Sequence, residues 1–181
     1  ADHIHGLDEL REINRVIGSG LPIWASAETL QALENRFAYA FQGIPPGTTI
    51  FRPWLVPTEI EPGQRFRVGN LTVQAFPQDH GFSTTIGYRF GDVVYSTDLM
   101  DLTPASKELI RGAKVWIVGA LQEAPHPTHA HVDRVLEWVR DLRPHRTILT
   151  HMSNDLDYDR LVSHVLPVGV TPAYDGLTVD I

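Results

Sequence analysis

The sequence predicts an α/β (α+β) fold, a mixed sheet covered by helices, and three observations carry that prediction. Its middle third holds four strand-like runs joined by tight turns. Its last third alternates buried-type strands with amphipathic helical stretches, and no linker or internal repeat divides the chain. Hairpins followed by βαβα units place helices on a sheet. With 181 residues, 43% of them hydrophobic and 20% charged, the chain is long enough to bury one proper core. A single domain over residues 1–181 is therefore expected.

The elements follow in order. Leu7, Leu10, Ile13, Val16 and Ile17 recur at helical spacing, which predicts an amphipathic helix over 7–17 stopped by Gly18-Ser19-Gly20. Pro22-Ile23-Trp24-Ala25 reads as a short buried strand. Ser26 suits an N-cap, with Glu28 near the positive helix end, for a helix running to about Phe37. Residues 42–64 contain Pro45, Pro46, Pro53, Pro57 and Pro62 and read as an excursion with short edge strands, a lid or a substrate-side loop. Strands are expected at Phe66–Val68, Leu71–Phe76, Thr85–Phe90 and Val93–Thr97, with Gly69-Asn70 and Gly91-Asp92 as turns. Pro104 opens a helix to about Ile110, Val115–Val118 is a strand, and Val132–Leu142 is an amphipathic helix. Thr147–Thr150 is a strand and Tyr158–Leu166 a helix, and Val170–Tyr174 with Leu177–Val179 reads as a closing hairpin.

Composition narrows the function. No apolar run approaches the roughly 18 residues of a membrane helix, so no membrane partner is expected. A net charge of −7 argues against nucleic acid, whose binding footprint is a basic patch. It does not oppose a small anionic substrate, because bound cations reverse a local field. The absence of cysteine excludes disulfides and thiolate metal sites and is compatible with the cytoplasm, the expected location. The chain starts with Ala rather than Met, so a leader or subdomain removed from its front is compatible with it. A homodimer is left open.

Potential ligands stand just after the predicted strands. His80 lies in Gln78-Asp79-His80-Gly81 after Leu71–Phe76, Asp98 follows Val93-Val94-Tyr95-Ser96-Thr97, and His151 follows Ile148-Leu149-Thr150. His126-Pro127-Thr128-His129-Ala130-His131 lies between the Val115–Val118 strand and the next helix. Strand ends hold a side chain firmly yet expose it, which suits ligands and catalytic groups. Imidazole and carboxylate without sulfur suit Zn²⁺, with Mn²⁺ or Fe²⁺ as alternatives. Singly, each signal is weak: Asp98 also suits the cap of the helix at Pro104, and Asp2-His3 alone says nothing. Their set and order carry the weight.

That order, with Asp2-His3-Ile4-His5-Gly6-Leu7-Asp8 at the front, resembles the metallo-β-lactamase superfamily of dinuclear metallohydrolases. Asp2-His3 looks like the back half of its His-x-His-x-Asp-His signature. The resemblance covers the chain from Asp2 to His151 and is nearest the phosphoribosyl cyclic phosphate phosphodiesterase branch. The stretches that carry it are Asp2 to Arg11, Tyr95-Ser96-Thr97-Asp98, Ile148-Leu149-Thr150-His151-Met152 and the tail around Ala173-Tyr174-Asp175-Gly176. It is more distantly similar to the tRNA 3′-processing endonucleases.

The resemblance implies an αββα sandwich, here without its N-terminal strands, and two divalent ions. It assigns His80 to the first metal, and Asp2, His3 and His151 to the second, with Asp98 bridging. A hydroxide clamped between two such ions would attack the phosphorus of a small cyclic or nucleotide-like phosphodiester. His129 is then the general acid for the leaving oxygen, and Asp2 counts among the catalytic residues as well as the ligands. His131 begins a helix and is expected to orient a neighbour or a phosphate, while His126 is read as a turn residue set by Pro125 and Pro127. Asp8 either supports a ligand histidine or pairs with Arg11 along the helix. His5 either lines the site or serves as a capping or packing residue, Tyr39 and Phe41 either stack a base or sugar or, the favoured reading, pack in the core, and His145 and His164 are assigned to the surface.

Two alternatives stand beside this reading. One is a truncated, non-catalytic fragment, because the His-x-His half of the signature would fall directly before Ala1. The other is a mononuclear hydrolase or thioesterase using Asp2, His3, Asp98 and His151. The missing strands would also leave the helix and strand of residues 7–25 without a sheet partner. The dinuclear reading therefore expects codons for His-x-His directly upstream of Ala1. Sequencing the gene there checks it, and any other residues at those positions remove the dinuclear assignment.

Overall fold

Residues 2–181 are described by the computed structural model, and Ala1, the first residue of the expected domain, lies outside the described residues. The chain divides into two units, Ala1–Glu61 and Pro62–Ile181.

In the first unit, a 3₁₀ turn at His5–Glu9 leads into α1, Leu10–Ile17, which ends on Gly18 in the left-handed conformation. The glycine stop was legible, but the buried face was not. Ile13, Val16 and Ile17 are exposed, and the fully buried residue of α1 is Asn14. Its amide donates to the carbonyls of Ser19 and Trp54 at 2.9 and 2.8 Å and accepts from the Trp54 N–H at 3.0 Å. A polar side chain that satisfies three backbone groups survives burial.

Strand β1, Leu21–Ala25, pairs in parallel with β2, Leu55–Glu59. The expectation that residues 7–25 lack a sheet partner is thus corrected: the Pro-rich excursion itself supplies the strand. Helix α2, Ala27–Arg36, is capped by Ser26, whose hydroxyl accepts from the Thr29 N–H. Leu7, Leu33, Ala40 and Leu55 form the core of this unit, with Phe41 against it. Tyr39, expected in the core, is instead exposed, because its hydroxyl donates to an Asp8 carboxylate oxygen at 2.5 Å.

The second unit is built on one mixed sheet. Its strands are β3 (Arg65–Val68), β4 (Leu71–Asp79), β5 (Thr84–Phe90), β6 (Val93–Ser96), β7 (Asp101–Leu102), β8 (Val115–Gly119), β9 (Arg146–Thr150) and β10 (Val170–Pro172). The order is β10-β9-β8-β6-β5-β4-β3, with β7 paired to the end of β4. Pairings are parallel from β10 to β6 and antiparallel from β6 to β3. Two antiparallel steps restore direction, so β4, β6, β8 and β9 all run the same way and end on one edge of the sheet.

Strand alternation sorts the two faces. One row set, including Phe76, Val94, Trp116, Val118 and Leu149, packs under α3 (Pro104–Ile110) and α4 (Val132–Leu142) through Ile110, Val135, Trp138 and Leu142. The opposite set, Val93, Val115 and Ile148, is covered in part by Ala173, Leu177 and Val179. Thr103 caps α3 by accepting from the Ser106 N–H, with Pro104 in its first turn, so the cap is not Asp98.

Three sequence readings differ from the structure. β4 runs through Pro77 to Asp79 instead of stopping at Phe76. On the side away from β5, Pro77 falls between the last β3 pair, at Gln74, and the first β7 pair, at Gln78, so its missing N–H breaks no ladder there. The 158–166 helix is α-helical only at Tyr158–Arg160 and continues as a π-helical turn over Leu161–Val165. The closing hairpin is absent among the described residues: β10 lies parallel to β9, and Leu177 and Val179 pack as an irregular tail. A turn does form, with the Leu177 N–H donating to Tyr174 O, but apolar burial rather than strand pairing uses the residues beyond it.

Gly87 in β5 is required by close approach, since a Cβ there would sit 2.4 Å from the Phe76 ring and 2.5 Å from Gln78 Oε1. Gly87→Ala should destabilise the protein by about 1–3 kcal/mol through overpacking. Urea unfolding of the variant beside the parent checks this, and an unchanged midpoint contradicts it.

Candidate metal centre

The shared direction of four strands brings the candidate residues together. His80 follows β4 immediately, Asp98 lies two residues past β6, the 120–131 loop follows β8, and His151 follows β9 immediately. Carboxyl ends of strands are where α/β sheets place their ligands.

Asp98 lies at the middle of the cluster. Its side chain is 12% exposed, with Oδ1 3.2 Å from His151 Nε2 and Oδ2 3.4 Å from His129 Nε2. The His129 and His151 rings stack at 5.2 Å with planes 12° apart, and the His80 ring meets His129 edge-on at 4.8 Å. Ligand atoms of His80, Asp98 and His129 all lie within 4.8 Å of one another. The backbone of Asp98 is held as well: its carbonyl accepts from Thr85 Oγ1 at 2.5 Å and from Gln78 Nε2 at 3.4 Å. Gln78 and Thr85 are positioning residues the sequence reading missed. A Gln pointing into the core from a strand beside a candidate ligand was the available signal.

Hydrogen bonds fix the imidazoles. The His80 Nδ1–H donates to the Thr128 carbonyl at 2.6 Å, which leaves Nε2 as its open nitrogen. His129 Nδ1 lies 2.7 Å from Thr128 Oγ1 and 3.2 Å from His126 Nδ1. His126, read from sequence as a turn residue, therefore belongs to the histidine cluster. His131 occupies the N-cap position of α4 without a side-chain cap bond. Asp8 bonds Tyr39, and Arg11 pairs with Glu12 at 3.4 Å, so the Asp8–Arg11 pair is replaced. Asp2 and His3 stand 3.4 Å apart, carboxylate to Nε2. His145 and His164 are exposed, as expected.

The cluster fits divalent cations. Two donors on one tetrahedral zinc, each bonded at about 2.0–2.2 Å, stand roughly 3.3–3.6 Å apart. The His129–Asp98 separation of 3.4 Å lies in that range, and the His151–Asp98 separation of 3.2 Å lies just below it. Imidazole and carboxylate without sulfur is also the donor set such ions take.

The comparisons with known proteins agree. Residues 1–152 match the model of the β-lactamase superfamily domain, and the chain belongs to that family. Its fold is that of the metallo-β-lactamase hydrolases, a class that works through bound divalent metal ions.

Among individual proteins, a crystal structure of a diphosphatase from the PhnP family is 31% identical, with a TM-score of 0.85, over 98% of this chain and 65% of its own. The metallo-β-lactamase fold protein YhfI from Bacillus subtilis shares the fold at 18% identity and a TM-score of 0.74, over 97% of this chain and 71% of its own. An octanoyltransferase of Porphyromonas gingivalis is 28% identical over 97% of this chain, which spans only 35% of that relative. The chain is thus just under two thirds of the length of the diphosphatase and about a third of the octanoyltransferase. No helix among the described residues is long and apolar enough to cross a membrane.

Burial pushes the His129 imidazole pKa down, and the neighbouring His80 and His151 add to this, while Asp98 opposes it. The unfolded chain titrates this group near 6.5. Below that value the unfolded state binds more protons than the folded one, so stability falls on acidification until the folded group also protonates. Without metal, the melting temperature should therefore drop between about pH 7.5 and about pH 5.5, and drop less in His129→Asn. Calorimetry at the two pH values checks it, and an equal or larger drop in the variant contradicts it.

Proposed function

We propose that this domain hydrolyses a phosphodiester of a small cyclic phosphate or nucleotide-like substrate, with two divalent ions, zinc first and manganese next, as cofactor. The carrying observation is Asp98: one largely buried carboxylate with an imidazole nitrogen at each oxygen, at the shared end of four strands that run the same way. The likeness to a diphosphatase of the PhnP family, at 31% identity, supports phosphate chemistry. The octanoyltransferase name belongs to a relative of which about two thirds lies outside the likeness, so it is not carried over.

His80, Asp98 and His151 are the ligands in this reading, and Asp2 and His3 join them on the strength of the sequence motif alone. Divalent ions, when bound, supply Lewis-acid chemistry: a more acidic water and neutralised phosphoryl oxygens. The Thr128 carbonyl keeps the open nitrogen of His80 available as a donor. Once protonated at Nε2, His129 gives that proton to the departing oxygen, and its ring is held for this by the hydrogen bond at Nδ1 and by stacking on His151. His129 also lies within ligand distance of His80 and Asp98, which favours a second reading in which it binds metal.

His129→Ala separates the two. As a proton donor its loss should lower kcat on bis(4-nitrophenyl) phosphate by about 10²–10⁴-fold with metal content unchanged. Loss of metal in the same variant, read by mass spectrometry, makes it a ligand instead. Asp98→Ala should lose both metal and turnover, and an Asp98→Ala protein that keeps its metals removes the bridging role. A preparation that hydrolyses thioesters and not phosphodiesters overturns the proposal.

A further inference from the structure

We infer that Thr97 is a positioning residue that holds the carboxylate of Asp98 in the orientation a shared metal ligand needs, an inference resting on the reading of Asp98 as the bridging ligand. The Thr97 hydroxyl donates to Asp98 Oδ1 at 2.7 Å. Oδ1 is the oxygen 3.2 Å from His151 Nε2, while Oδ2 lies 3.4 Å from His129 Nε2. The hydroxyl thus meets the oxygen that shares an ion with His151 in that reading.

The bonds to the backbone of Asp98 leave this task undone. Thr85 and Gln78 hold its carbonyl, which fixes where the residue sits but not how its carboxylate is turned. The terminal torsion of an aspartate is broad, so rotamer preference does not set the plane either. A bridge needs that plane set, because each oxygen has to face a different ion. The Thr97 hydroxyl supplies the restraint, since turning the carboxylate would carry Oδ1 away from it. An ionised carboxylate only accepts and offers about four lone-pair directions, so one hydroxyl can donate to Oδ1 without closing it to a cation.

The sheet holds the threonine in turn. Thr97 directly follows β6, and the parallel register of Ser96 with Val118 brings it beside Gly119, the last residue of β8. A Cβ on Gly119 would lie 3.0 Å from Thr97 Oγ1 and 3.5 Å from Thr97 Cβ, so the glycine gives the hydroxyl its room. On its other side Gly119 is paired with Thr150, the residue before His151. Thr97, Gly119 and Thr150 therefore form a row across three parallel strands, one residue short of both Asp98 and His151. A β-branched side chain with a stiff χ1 keeps the hydroxyl in place within that row.

The test measures zinc binding by the full chain, in competition with a chromogenic chelator, and needs no substrate. Thr97→Val keeps the shape and removes the hydroxyl, and it should weaken zinc binding roughly 10–100-fold, the usual cost of losing a group that orients a metal ligand. Thr97→Ser restores the hydroxyl and should recover most of that affinity. If the valine variant fails to fold, Thr97→Ala, which adds no bulk, reads the same contact. Parent-like zinc affinity in Thr97→Val, beside lost affinity in Asp98→Ala, overturns this inference alone. So does a serine variant as weak as the valine one, which would make the methyl group and not the hydroxyl responsible. An Asp98→Ala chain that binds zinc like the parent overturns the underlying reading as well.

Discussion

The carboxylate of Asp98 is the group around which the second unit is organised. A carboxylate with 12% of its surface exposed is costly unless partnered. Two imidazoles meet its oxygens, and the hydroxyl of Thr85 and the amide of Gln78 hold its backbone carbonyl. Those partners come from β4, β5, the β8–α4 loop and the end of β9. Every strand from β9 to β4 therefore has to arrive in its observed register for the carboxylate to be tolerated. Gly87 belongs to the same constraint, because only a residue without a Cβ lets Phe76 and Gln78 close over β5.

Chemistry and packing meet in the segment 126–131. Its backbone is tied to the Asp98 loop through Leu99, and it supplies His129, one of the two imidazoles facing that carboxylate. Backbone hydrogen bonds thus hold this segment against the Asp98 loop. The likeness to a PhnP-family diphosphatase and to an octanoyltransferase shows that the domain occurs in proteins of different names.

Much of this was readable from residues in order. Helix α4 was delimited to the residue because its apolar period, its helix start and the polar run after it agree. His80, Asp98 and His151 were found because each follows a strand-like run. The errors have local causes. Pro77 was taken as a strand end, although a gap in the neighbouring ladder excuses its missing N–H. Ile13, Val16 and Ile17 suggested a buried stripe, whereas Asn14 is buried by bonds to residues as distant as Trp54. The second strand of the closing hairpin failed because periodicity reports that Leu177 and Val179 are buried and not whether they pair.

The sequence by itself determined which side chains were available for chemistry and that they stand at strand ends, since hydrophobic periodicity and turn residues are local signals. It also carried the family resemblance, which lies in the order of those residues along the chain. Only the tertiary structure decided that four of the strands run in one direction and so deliver His80, Asp98, His129 and His151 to the same sheet edge. Likewise, only the folded chain brings Thr128 and His126 against His129 and gives Gln78 and Thr85 the Asp98 carbonyl. Strand direction and side-chain hydrogen bonding across some 50 residues of sequence (His80 to Thr128, for example) are properties of the assembled sheet. No local pattern encodes them.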